Sequence, residues 1–139
     1  MAPLEQVRSD LTRTLAAWSV LSLAGGAALA LRRRGPRAAG FARQSVAWGG
    51  IDLAIAAAGH LGARKGVVGR AGESAALRRL LLVNAALDVG YVATGAALVR
   101  ARTVRGRDSV GDGLGVVVQG TFLLVLDLVS AARLRTTGV

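Results

Sequence analysis

Three aspartates sit in stretches of chain that otherwise hold almost nothing charged: Asp52 in WGGIDLAIA, Asp88 in NAALDVGYVATG and Asp127 in QGTFLLVLDL. No lysine or arginine falls inside these stretches to neutralise them. An ionised aspartate at the middle of a bilayer costs about 2.5–3.5 kcal/mol even on insertion scales. Three acids in such surroundings must therefore keep protons or gather a cation or water among them. The chemistry open to them is proton relay, cation binding, or hydrogen bonding between helices by protonated carboxyls.

Helical spacing sorts their neighbours. Asn84 precedes Asp88 by four residues and Tyr91 follows it by three, so all three share one helical face, which Gly95 extends. The same face around Asp52 carries Ser45, Gly49, Ala56 and Gly59, and that around Asp127 carries Gly120 and Ser130. Ser19, Ser22 and Gly26 form a weaker stripe further upstream. Small residues mark faces on which helices pack closely, so the carboxyls are expected to converge inside a bundle. Gln44 and Gln119 each lie about 12 Å of helix before Asp52 and Asp127, at one common depth. The expected ligand-, proton- or cation-binding set is Asp52, Asp88 and Asp127. Asn84, Gln44, Gln119 and Tyr91 would supply hydrogen bonds, and Trp48, one turn before Asp52, would pack over a cavity or fill space. Asp88 is the central titrating group in this scheme, and the identity of any metal is left open.

Other chemistries find little support. The chain has no cysteine, which removes disulfides, thiolate nucleophiles and thiolate metal sites. His60 is the lone histidine, at the end of an apolar run, so neither a zinc site nor a Ser-His-Asp triad is expected. Gly111-Asp112-Gly113-Leu114-Gly115 resembles a phosphate cradle in composition only. It lacks the Lys-Ser/Thr of a P-loop and a preceding strand, and reads as a flexible loop. No enzyme activity and no cofactor are expected.

The elements that must position these residues are four apolar runs, Thr14–Leu31, Phe41–Leu61, Leu80–Val99 and Leu114–Ala132. Each approaches the roughly 20 residues that cross a hydrocarbon core as a helix, and none has the polar face of a soluble bundle helix. The reading is all-α: one domain over residues 1–139, four transmembrane helices in an antiparallel bundle. A soluble bundle of unusual hydrophobicity is the competing architecture. The first run ends in Ala28-Leu29-Ala30, like a signal-peptide cleavage site. It is preceded by balanced charges and followed by Arg32-Arg33-Arg34, so it is expected to stay as a helix.

The net charge of +10 raises nucleic acid as a partner, but the basic residues cluster between the apolar runs. Arg32, Arg33, Arg34 and Arg37 form one group, Arg64, Lys65 and Arg70 a second, and Arg100, Arg102, Arg105 and Arg107 a third. Charge placed this way meets anionic lipid headgroups, whereas a nucleic-acid surface would interleave it with stacking aromatics. The 18 basic residues divide evenly between the two sides of a four-span topology, so the positive-inside rule assigns no orientation and dual insertion stays open.

Gln44, Asp52-Leu53 and Ala56-Ala57 recur at the same spacing as Gln119, Asp127-Leu128 and Ala131-Ala132. Gly26-Ala27-Ala28-Leu29 likewise matches Gly95-Ala96-Ala97-Leu98, which suggests two hairpins related as a parallel repeat. Together, the strings that hold Trp48, Asp52, Asn84, Asp88, Tyr91, Gln119 and Asp127 resemble a family of small four-span bacterial integral membrane proteins of unknown function. The resemblance implies the architecture and a multi-pass place in the bacterial inner membrane, and implies nothing about mechanism. Two functions remain from the residues themselves. One is proton or cation binding or relay, in transport of a small solute and as a homo-oligomer. The other is a structural or assembly subunit with a membrane-complex partner, its acids serving as interhelical contacts.

Overall fold

The computed structural model describes residues 3–32, 34–64 and 72–136, so Arg33, Lys65 and Arg70 of the basic clusters lie outside the described residues. Four helices carry the fold: α1 (Pro3–Leu31), α2 (Pro36–Arg64), α3 (Glu73–Ala101) and α4 (Val110–Thr136). Both prolines stand at the first position of a helix, where the missing N–H costs nothing. Gly72, with φ 84°, turns the chain into α3, and Glu73 places a negative charge on its first turn. A two-residue hairpin, β1 (Thr103–Val104) with β2 (Arg107–Asp108), joins α3 to α4. Its turn residues Arg105 and Gly106 both have positive φ, which matches the right-handed twist of the strands.

The helices outrun the apolar stretches at most of their ends. α1 begins eleven residues before Thr14 (14 − 3 = 11), on a polar segment tied to α3 by the Arg8–Glu73 ion pair. The glycine-rich segment expected to be a flexible loop is helical instead: α4 starts at Val110 and takes in Gly111, Gly113 and Gly115. The reason is proximity. A Cβ on Gly113 would stand 2.6 Å from the Gly95 carbonyl oxygen, and one on Gly115 would stand 2.5 Å from Gln44 Cβ. These glycines let α4 cross α3 and α2 at backbone contact, and the composition that reads as a loop is a crossing point.

α1 packs chiefly on α2 and α3 on α4, and the two hairpins join through α2 and α4. The paired strings fall at matching places in this arrangement. Gly26 of α1 meets Ala42, Ser45 and Val46 of α2, and Gly95 of α3 meets Gly113 and Val117 of α4. In α2 the buried positions Ala42, Ser45, Gly49, Asp52 and Ala56 alternate at three- and four-residue steps, the spacing of a straight inter-helical seam.

The burial pattern runs opposite to that of a soluble bundle. A small apolar core of Val7, Leu81, Ala131 and Leu134 closes one end. Elsewhere the buried side chains include Ser19, Ser22, Ser45, Asp52, Asp88, Gln119, Asp127 and Ser130. Leu21, Ile51, Ile55, Leu80, Leu87, Val89 and Val125 are more than half exposed. Among the described residues three helices, Leu4–Leu31, Glu73–Ala101 and Val110–Leu134, are long and apolar enough to cross a membrane. α2, read as a fourth span from Phe41–Leu61, is not among them over its described residues. Ser45, Gly49 and Asp52 on its buried seam lower its hydropathy.

Candidate functional site

Asp52 on α2, Asp88 on α3 and Asp127 on α4 line one cavity of about 320 Å³, together with Trp48, Asn84 and Tyr91. The remaining lining is aliphatic, from Leu11 and Leu15 of α1, Ile51 and Ile55 of α2, six leucines of α3 and α4 among them Leu80 and Leu87. Among the described residues no basic side chain contributes to it. Asp52 is 1 % exposed and Asp88 4 %, so both carboxyls are withdrawn from the outer surface. Their Oδ2 atoms are buried and make no hydrogen bond among the described residues. An orphaned buried carboxyl oxygen is costly, and its persistence calls for a proton or a partner. Asp127, 8 % exposed, has Asn84 beside it in the same lining. The charges of the three acids act on one another, with Asp88 felt by both of the others.

α2 and α3 make little direct contact, and the cavity mouth lies between them. Trp48 and Tyr91 span that gap. Their ring centroids are 5.0 Å apart with the planes at 73°, an edge-to-face contact of the favourable kind. Ile51, Ile55, Leu80 and Leu87 border the mouth, each 53–56 % exposed on the outside of the bundle. The cavity therefore opens sideways through an apolar rim.

The two glutamines are placed elsewhere. Gln119 is buried between α4 and α1, accepting from Trp18 Nε1 at 2.6 Å and donating to Ser22 Oγ at 3.1 Å. Trp18 also stacks on Phe122, centroids 4.0 Å apart and planes within 9°, which fills the groove between α1 and α4. Gln44 donates to Asp112 Oδ1 at 3.1 Å, at the end of the bundle where Arg43 Nη2 meets both oxygens of the same carboxylate. Neither glutamine lines the cavity. The common depth expected for the two is not kept: Gln44 stands beside Asp112 and Gly115, at least a turn before Gln119 along α4, and each is committed to a local partner.

At the same end Arg37 Nε lies 3.1 Å from Asp108 Oδ2, and Asp108 Oδ1 accepts from the Val110 amide at 2.9 Å. The bond from Val110, with Arg37 and Arg102 nearby, holds the Asp108 carboxyl below its ordinary value of 3.8. His60 is exposed near the end of α2, outside the cavity lining.

The aliphatic lining and the mouth were not singled out from the sequence. Ile51 and Ile55 flank Asp52 by one and three positions, but periodicity alone does not say which exposed residues frame an opening. The hydrogen bond from Trp18 to Gln119, 101 residues apart, had no local signal. What the site can do follows from its makeup. It withdraws negative charge from water, leaves oxygens unbonded and offers an apolar approach, which suits uptake of something positive. Among the described residues no group of three or more His, Cys, Asp or Glu is arranged to hold one metal ion. The three carboxyls share a cavity without forming a coordination shell.

A model of a family of unknown function, DUF6992, matches residues 14–128, and the chain belongs to that family. The match takes in all three aspartates and the whole α2–α3 mouth. No curated protein and no solved structure matches the chain.

Proposed function

We propose that this member of a family of unknown function is a multi-pass membrane protein whose Asp52, Asp88 and Asp127 cavity takes up a proton or a cation. The observation that carries the proposal is a pair of buried carboxyl oxygens, Oδ2 of Asp52 and of Asp88, that make no hydrogen bond among the described residues and belong to side chains lining the cavity. Interhelical glue would use those oxygens; a binding site keeps them available. Three apolar helices and an outside lined by Leu, Ile and Val support placement in a bilayer, and α2 would cross as the polar-faced member of the set. The arginines at the helix ends would lie among anionic headgroups. Transport of a small solute, by a homo-oligomer in a bacterial inner membrane, is the fuller form of this reading.

The second reading is a structural or assembly subunit of a membrane complex. It is favoured by the bonds from Gln119 to Ser22 and from Trp18 to Gln119, which use polar side chains as contacts between helices. The two readings part on one experiment. Protein in lipid nanodiscs in weak buffer is given monovalent, divalent and organic cations in turn while a dye reports released protons. On the binding reading at least one cation releases protons from wild type, and Asp88→Asn abolishes the release with folded yield unchanged. If no cation releases protons, and Asp88→Asn instead lowers the recovery of the fold or of a co-purifying partner, the subunit reading stands.

A further inference from the structure

The cavity is too apolar and its carboxyls too dispersed for a hydrated metal ion. Aliphatic side chains make most of the lining, and among the described residues no acidic group of three can ligate a single metal. A monatomic cation would have to shed its water and gain few oxygens in return. The two unbonded oxygens ask for something that donates hydrogen bonds as well as carrying charge. Asp52 Oδ2 and Asp88 Oδ2 are buried acceptors, on residues 1 % and 4 % exposed. An ammonium group brings three donors and no acceptor. The volume of about 320 Å³ exceeds what such a head group needs and leaves room for a hydrocarbon body of several carbons. Trp48 and Tyr91 line the same cavity, and aromatic rings suit a cation of low hydration.

The mouth points the same way. It opens between α2 and α3 past Ile51, Ile55, Leu80 and Leu87, side chains that also face the outside of the bundle. A solute reaching the acids by this route passes an apolar rim, which admits an amine with a hydrocarbon tail more readily than an ion with its water.

We infer that the cavity binds a protonated primary amine with an apolar body, its ammonium hydrogen-bonded to Asp52 and Asp88 and its hydrocarbon part lying between α2 and α3. The inference rests on the proposed uptake of a proton or cation and narrows it to one chemical class. Asp127, with Asn84 beside it, balances charge within the same cavity. Hexylamine is the simplest probe, and hexanol is its uncharged counterpart of nearly equal size.

The experiment is equilibrium binding of isotope-labelled hexylamine to the full chain in lipid nanodiscs, with lipid-only nanodiscs subtracted, beside the infrared carboxyl band of the same samples. Hexylamine is expected to bind saturably, and hexanol and magnesium ion to leave its binding unchanged. Asp52→Asn and Asp88→Asn each lose a charged acceptor and are expected to weaken binding about tenfold or more. Leu80→Trp narrows the mouth with every carboxyl in place. It is expected to lose hexylamine binding and keep the carboxyl titration, so a failure of Asp variants to fold leaves the test intact. If the carboxyl band titrates or responds to another cation while hexylamine does not bind, the amine assignment is overturned and the broader uptake reading survives. If hexylamine does not bind and the band is fixed at every pH, both fall.

Discussion

Gln119 and Asp52 are both almost wholly buried, yet their surroundings assign them opposite tasks. Gln119 has its amide oxygen bonded to Trp18 and its amide nitrogen to Ser22, so its value is in holding α4 to α1. Gln119→Ala is expected to cost about 1–2 kcal/mol, because it strands a buried indole N–H and removes a second bond. Unfolding equilibria in mixed detergent would measure the loss, and the infrared carboxyl band should be unchanged. Asp52 carries an oxygen with no partner, so Asp52→Asn removes a buried acid without breaking a bond made by that oxygen. The fold should be unaffected or slightly more stable, and the carboxyl band should lose intensity. A marked loss of stability in Asp52→Asn would assign it to the same holding role as Gln119.

Asp108 supplies a residue-scale pH dependence away from the cavity. Its carboxyl is held below the ordinary value of 3.8 by the Val110 amide and by Arg37. A group depressed in the folded chain adds stability that is complete above its unfolded value and is lost as pH falls through the folded one. Protection of the Val110 amide against hydrogen exchange should therefore hold at neutral pH and fade in acid below about 4. Asp108→Asn should flatten that dependence.

At the scale of elements, the crossing of α3 and α4 depends on Gly95 and Gly113 being without side chains. A Cβ on Gly95 would lie 2.7 Å from the Gly113 carbonyl oxygen, a distance closed by backbone that cannot swing aside. Gly95→Val should force the helices apart at a cost of about 1–3 kcal/mol, as overpacking does elsewhere. Thermal unfolding in nanodiscs would show it. The control is Gly90→Ala, where an added Cβ meets nothing within 4 Å and stability should rise slightly or stay level.

The elements also explain what could be read without coordinates. Four helices were legible because each carries a long apolar run, and the shared face of Asn84, Asp88 and Tyr91 was legible because helical spacing fixes it. The convergence of Asp52, Asp88 and Asp127 followed from small residues beside each acid. The start of α4 is not legible, since Gly111, Gly113 and Gly115 have the composition of a loop and only the helices they cross make them helical. The polar leading turns of α1 were outside any apolar window, because they are held by Arg8–Glu73 and by the Val7–Leu81 core. The edge contact of Trp48 with Tyr91 joins helices that are neighbours only in space, which no local pattern encodes.

Over much of the helical surface aliphatic side chains lie outside, while serines, Gln119 and the three aspartates lie inside. Val20 is 58 % exposed and Ser19 fully buried one position earlier, so α1 turns its hydroxyl inward and its hydrocarbon outward. A surface covered this way supports the proposed placement of the bundle in a bilayer. The chain has no cysteine, so one introduced at a time is the sole thiol. Cysteines at Val20, Leu53, Val83 and Val125 should resist a water-soluble maleimide in intact nanodiscs, and cysteines at Arg34 and Gly106 should react. Leu53 is the informative position because α2 has the lowest claim to be a span; rapid labelling there would leave three crossings. The bundle then has an odd number of crossings and its ends on opposite sides, with the α2–α3 mouth reached from water.

The account turns on whether the three acids exchange protons or ligands, and one measurement reads that directly. It is an infrared titration of the protonated carboxyl band in reconstituted wild type and in Asp52→Asn, Asp88→Asn and Asp127→Asn. The account predicts a band that titrates between about pH 5 and 9, shifts on addition of a cation, and changes in every variant, as coupled groups do. A band fixed across that range, indifferent to every cation and altered only in amplitude by the substitutions, would contradict it. The acids would then be protonated contacts between helices.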